Sequence, residues 1–259
     1  MKRSDLICEN GVINYKEKEK NVHNFTLHRT KCTEINIDKE SSCLIGKPVG
    51  RYVTIFCDEG NFSECFKEIL SSFIIKGSVL VVGLGNERIC SDSLGTEAIK
   101  YIPATSHFSH ISSFNELNLR SVSVISAGIT GKTGIESSEH ISCIADMINV
   151  DFVIAIDSLA CSGADRLCRT IQITDTGISP GSGVGNNRKK LDYSSVNRKV
   201  VAIGVPTVMD FNRGKEKLIV TPRNIDCIVN DFAQIIGTGI SSVLNPGLTL
   251  EELNSLLIF

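Results

Sequence analysis

The chain has 259 residues, 42% hydrophobic and 22% charged, with a net charge of −2. That is the balance of an ordinary soluble globular protein with room for a substantial core. No dense basic stripe points to a nucleic-acid partner, no apolar run approaches the length of a membrane span, and Met1–Tyr15 lacks the apolar core of a secretory leader.

Ten cysteines, none spaced Cys-x-x-Cys, read in such a chain as reduced thiols of a cytoplasmic protein. Neither a metal nor a cofactor is expected. The basic stretches Lys16–Lys20 and Arg188–Lys190 read as solvated loops.

Up to about Gly50 the chain is polar and irregular, with short alternating stretches such as Thr33–Ile37 that predict edge strands. Asn61–Ile75 has helical spacing through Phe62, Cys65, Phe66, Ile69 and Phe73. Buried-strand runs follow at Val79–Val82, Val122–Ile125, Phe152–Ile156 and Val200–Val205. Ile135–Ile148 predicts a helix, with Thr133 and Glu136 spaced as a capping box. A glycine-bearing loop spans Asp175–Lys190, and helices are expected over Pro222–Leu244 and over Leu248–Leu257, the last opened by Thr249 with Glu252.

Apolar β-branched runs alternating with amphipathic helices predict a three-layer α/β/α fold with a mostly parallel sheet. One domain over 1–259 is expected: a decorated N-terminal region 1–60, a catalytic core 77–210 and C-terminal helices 218–259. In such folds catalysis collects at the carboxyl ends of the strands.

The obvious nucleotide motifs fail. Gly83-Leu84-Gly85 begins like a dinucleotide fingerprint, but Arg88 stands where the third glycine should be. Gly131-Lys132-Thr133 has Ser126 in place of the upstream phosphate-loop glycine. No Gly-x-Ser-x-Gly elbow occurs, and none of the five histidines sits at an expected strand end.

Carboxylates are better placed. Asp157 ends the run Phe152–Ile156, and Asp92 lies in the loop after the first core strand, at the same edge. Each is read in two ways. Asp92 is a helix N-cap ahead of Ser93–Tyr101 or a catalytic group; Asp157 is a cap after a strand or a catalytic group. Two aspartates facing one cleft could share a proton, one activating water and the other protonating the leaving amine.

Several long strings resemble the germination protease family of spore-forming bacteria. They are Gly83-Leu84-Gly85-Asn86 with Asp92-Ser93-Leu94-Gly95, Thr133–Glu136, Ala155–Ala160, Thr170–Ile173, Asp175–Ile178 with Pro180–Asn186, and Ile203–Val208. Arg3-Ser4-Asp5-Leu6 with Glu9 looks like the start of the family's mature enzyme, and Val220-Thr221-Pro222 also matches.

The resemblance implies a fold related to hydrogenase-maturation peptidases. It also implies an endopeptidase of the forespore or spore core that degrades small acid-soluble spore proteins during germination, cutting after a glutamate in an acidic motif. The family's two favoured catalytic aspartates fall on Asp92 and Asp157. Asn86 is expected to orient substrate or brace its loop, and Gly181, Gly183, Gly185 and Asn186 to approach an extended peptide backbone. Beyond that substrate, the expected partners are copies of the same chain, with no direct nucleic-acid contact and no membrane.

The chain departs from the family in three places. Only Met209–Leu218 joins the Val-Pro-Thr-Val strand end to the Thr-Pro helix, where the family carries a further segment. Only Met1 and Lys2 precede Arg3, so the family's short propeptide is expected to be missing. Cys90-Ser91 stands where Thr-Pro is common. The alternatives are a non-catalytic shortened relative that binds spore proteins, and a hydrogenase-maturation-type peptidase.

Overall fold

The computed structural model describes residues 5–7, 21–109, 119–181, 188–213 and 216–257. Its strands are β1 (Val22–Leu27), β2 (Thr30–Ile37), β3 (Gly50–Phe56), β4 (Val79–Gly83), β5 (Val122–Ser126), β6 (Phe152–Cys161), β7 (Thr170–Thr174), β8 (Lys199–Arg213) and β9 (Glu216–Val220). They form one sheet ordered β1-β2-β3-β7-β8-β6-β4-β5, with β9 added to β8. The helices are α1 (Lys39–Ile45), α2 (Phe62–Ser71), α3 (Leu94–Ala98), α4 (Thr130–Thr133), α5 (Ser137–Met147), α6 (Tyr193–Val196), α7 (Ile225–Leu244) and α8 (Leu250–Ser255).

The layered α/β architecture is as the sequence implies. Every residue of β4 is buried, because both faces of that strand are covered. On one face Val79, Val81, Ile154 and Ile156 pack with Phe66, Leu70, Phe232 and Ile236 of α2 and α7. On the other, Leu80, Val82, Val153 and Ala155 pack with Ile141, Ala145 and Val196 of α5 and α6.

The sheet is mixed rather than mostly parallel. β5, β4, β6 and β8 pair in parallel, whereas β1, β2, β3, β7 and the β7–β8 junction are antiparallel. The N-terminal strands therefore extend the sheet instead of decorating its rim, and β2 lies inside, between β1 and β3. The β1–β2 hairpin turns through His28 and Arg29, both at positive φ (50° and 64°). Neither residue is among those that usually mark such a turn, so the hairpin left little trace in the sequence.

One helix expectation is revised. The capping box at Thr133 and Glu136 does not form. Thr133 Oγ1 accepts the Ile135 N–H and lies within hydrogen-bonding distance of the Ile129 and Ile135 carbonyls, and α5 opens at Glu136 without a side-chain cap. The expected box at Thr249 and Glu252 does form. The helix expected over Pro222–Leu244 forms as α7, which is long and apolar enough by composition to cross a membrane. Its buried Val229, Phe232, Ala233, Ile236 and Ile240 nevertheless sit in the core shared with the sheet.

Cys32 and Cys65 are free thiols in contact inside the core, at 3.4 Å between sulfurs.

Candidate active site

The site grows from the point where β4 stops. Gly83, its last residue, is level with Ile156 of β6. The strand does not end there as the apolar run suggests, but continues to Cys161 along β8. Asp157 is thus the first residue of β6 beyond the shelter of β4, and it is not a cap. Its side chain is carried inside the fold and the residue is only 4% exposed. Its Oδ1 accepts the backbone N–H of Ser158 at 2.9 Å.

Asp92 reaches the same edge from the loop after β4. Gly85 turns that loop at φ 105°, where a Cβ would stand 1.9 Å from the Asp92 carbonyl oxygen. Only glycine accepts both the dihedral and the approach. The turn is closed by the Asn86 N–H, which donates to the Asp92 carbonyl at 2.9 Å and to Asp92 Oδ2 at 3.0 Å.

Asp92 closes a 3₁₀ turn over Cys90–Asp92, and Ser93 holds the N-cap position of α3 without a side-chain bond. The capping reading of Asp92 therefore gives way: its carboxylate points back to the glycine loop. α3 sits hard against the strand ends, since a Cβ on Gly95 would lie 2.3 Å from the Ile156 carbonyl oxygen. From β8, the buried Thr207 hydroxyl donates to the Ser91 carbonyl at 2.5 Å, tying the Asp92 turn to the sheet.

Asp92 and Asp157 line one cavity of about 390 Å³, walled by apolar side chains including Leu84, Ile129, Leu159, Val208 and Ile219. Burial, and then the charges of Asp92 and Asp5, push the Asp157 carboxyl well above its ordinary 3.8; the Ser158 N–H and Arg188 oppose them. Burial also raises Asp92, against the Asn86 N–H and Arg188. Such a pair holds one proton more readily than two isolated aspartates would, and its titration belongs to the pair.

Of the other expected site residues, Asn86 and Gly181 line the cavity. Asn86 Oδ1 accepts the Arg88 N–H at 3.1 Å, so it braces its own loop. Gly183, Gly185 and Asn186 lie outside the described residues.

Two charged lining residues had not been assigned to the site. Arg188, read as part of a solvated loop, lines the cavity, and a lone arginine after a glycine loop offers no signal of that. Asp5 lines it as well; its only trace was its place in the Arg3–Leu6 string. Among the described residues no three His, Cys, Asp or Glu side chains converge as a metal site.

The fold and this edge define a mixed α/β protein whose strand ends gather carboxylates, one of them buried, in an apolar cleft. The chain belongs to the germination protease family: the family profile matches residues 5–213.

Relatives described as germination proteases match most of this chain. That of Caldanaerobacter subterraneus subsp. tengcongensis is 34% identical over 318 aligned positions, covering 98% of both chains. That of Clostridium tetani is 32% identical over 320, covering 98% of this chain and 99% of its own. That of Priestia megaterium is 36% identical over 261, covering 93% and 67% respectively. Alignments longer than this chain mean that all three carry insertions it lacks.

A solved structure, the [NiFe] hydrogenase maturation protease HycI from Thermococcus kodakarensis, matches at a TM-score of 0.41 and 16% identity, covering 68% of this chain and 98% of that one. Membership of the germination protease family makes the chain a peptidase of spore germination, with protein substrates from spores.

Proposed function

We propose that the chain is an endopeptidase of small acid-soluble spore proteins, acting in the spore cytoplasm by water-mediated hydrolysis with Asp92 and Asp157. The observation that carries this reading is the pair itself. A buried carboxylate, Asp157, and a half-buried one, Asp92, come from different elements to line one apolar cleft, and the charge of Asp92 raises Asp157.

Asp157, the more enclosed, holds the proton. Asp92, favoured as the anion by the Asn86 N–H and Arg188, takes a proton from water as its oxygen adds to the scissile carbonyl carbon. Asp157 then gives its proton to the departing amine as the C–N bond breaks, and the proton on Asp92 returns to Asp157. The apolar walls exclude bulk water and strengthen each of these interactions.

The test is cleavage of a purified small acid-soluble spore protein, with binding read in parallel. Asp92→Asn and Asp157→Asn each keep the shape and lose the titrating group. Each is expected to cost about 10²–10⁴-fold in rate with the fold and binding retained. Full activity in either folded variant removes that residue from the mechanism. Binding without cleavage by the wild-type chain favours the non-catalytic alternative.

A further inference from the structure

The cavity has a third carboxylate that the two-aspartate mechanism does not use. Asp5 belongs to the N-terminal segment, far from Asp157 in sequence, yet it is bracketed onto β6. Its N–H donates to the Ala160 carbonyl at 2.9 Å, and the Ala160 N–H donates to Asp5 Oδ2 at 2.8 Å.

That bracket closes where β6 and β8 change register, between Leu159 and Ala160. It also lies on the stretch of β6 that follows Asp157 and supplies Ser158, Leu159 and Ala160 to the cavity wall. The neighbouring Leu6 and Ile7 are buried, and the Ile7 N–H donates to Gln172 Oε1 at 3.0 Å. These three hydrogen bonds and two buried side chains hold the segment in place, so the position of the Asp5 carboxylate is fixed by the fold.

We propose that Asp5 is a positioning residue of the active site, whose anchored negative charge keeps the shared proton on Asp157 between turnovers. The inference rests on the two-aspartate reading above.

Among the described residues, the charges that act on Asp157 come from three elements: Asp92 on the 3₁₀ turn, Asp5 on the N-terminal segment and Arg188 from the loop that precedes α6. Arg188 favours the anion, and Asp5 stands with Asp92 against it. Behind Asp5, Lys47 Nζ donates to the Asp5 carbonyl at 3.2 Å, and Lys190 and Asp192 share with it a second cavity of about 240 Å³.

A like charge beside a buried acid favours its protonated form. Asp157 without its proton cannot serve the leaving amine, so Asp5 should extend activity toward higher pH.

Asp5→Asn separates charge from anchorage, because an amide oxygen can still accept the Ala160 N–H. The alkaline limb of kcat/KM on a small acid-soluble spore protein should move to lower pH by about half a unit or more. Asp5→Glu should restore much of the shift. Difference-infrared titration of the Asp157 carboxyl, read against Asp157→Asn, should show the same displacement in the resting protein.

A profile that superimposes on wild type, or keeps its shape and is merely scaled, overturns the proposal. If Asp5→Asn does not fold, Asp5→Ser replaces it; failure of both assigns Asp5 to structure alone and also overturns the proposal. Loss of cleavage in Asp92→Asn and Asp157→Asn, with a wild-type profile in Asp5→Asn, sinks this inference and leaves the two-aspartate reading standing. Retained activity in Asp92→Asn or Asp157→Asn sinks that reading instead, and the infrared titration still decides whether Asp5 acts on Asp157.

Discussion

On the antiparallel side of the sheet, Glu34 of β2 receives the Arg51 guanidinium at 2.9 Å and the Asn36 amide at 3.0 Å. The Arg51 bond, above all, holds its carboxyl below the ordinary range. On the parallel side, Asp157 of β6 lies deeper, among the described residues accepts a single backbone N–H and faces two other carboxylates, and its carboxyl is pushed up. Both are acids within one sheet, treated in opposite ways. A carboxylate that serves structure is given a cation and kept charged. One buried with no ion pair among the described residues, at the end of the parallel strands, costs stability that packing elsewhere must offset, and such an arrangement is expected where chemistry needs a mobile proton.

The comparison can be broken first at the backbone beneath the site. Gly85→Ala puts a methyl group against the Asp92 carbonyl at a dihedral that L-residues rarely adopt. We expect a loss of about 2–4 kcal/mol in denaturant unfolding. Cleavage should fall about 100-fold or more, because the turn that carries Asp92 must move. Near-normal activity in this variant would show that Asp92 needs no fixed position.

The antiparallel side should respond far less. Glu34→Gln removes an ion pair that is partly open to solvent. Its cost should stay below about 1 kcal/mol after solvent screening, and cleavage should be unchanged. Because the Glu34 carboxyl is lowered in the folded protein, its contribution is present above the ordinary 4.5 and is lost as pH falls through the folded value. The difference between wild type and Glu34→Gln should therefore shrink on acidification. A fall in cleavage comparable to that of Asp157→Asn would erase the distinction between the two sides.

The parallel half was legible in the sequence because its strands are continuous β-branched runs and its loops follow them directly. Val79–Gly83, Val122–Ser126 and the start of β6 fall where the periodicity puts them. The strand-end rule then placed Asp92 and Asp157 at one edge. The antiparallel half was not legible. Its strands alternate weakly, and its hairpin turns on His28 and Arg29 rather than on glycine or asparagine.

Asp5 and Arg188 were hidden for a different reason. No local pattern records that a residue at one end of the chain will bond to Ala160, or that a loop arginine will fold over a cleft. Such contacts are fixed only when the whole sheet is assembled. The extension of β6 past Asp157 was missed because a buried acid interrupts the very pattern used to recognise a strand.

The most direct measurement is the thermal stability of Asp157→Asn against wild type across pH, taken with its activity. The Asp157 carboxyl is raised in the folded protein, so its contribution is fully present below the unfolded value of about 4 and is lost as pH rises through the folded value. Asparagine mimics the protonated acid and does not titrate. The account predicts that Asp157→Asn cleaves nothing and yet melts above wild type near pH 7, with the gap closing as pH falls toward about 4. A variant that melts below wild type at neutral pH, or one that still cleaves, would contradict the claim that this carboxylate is buried for its proton.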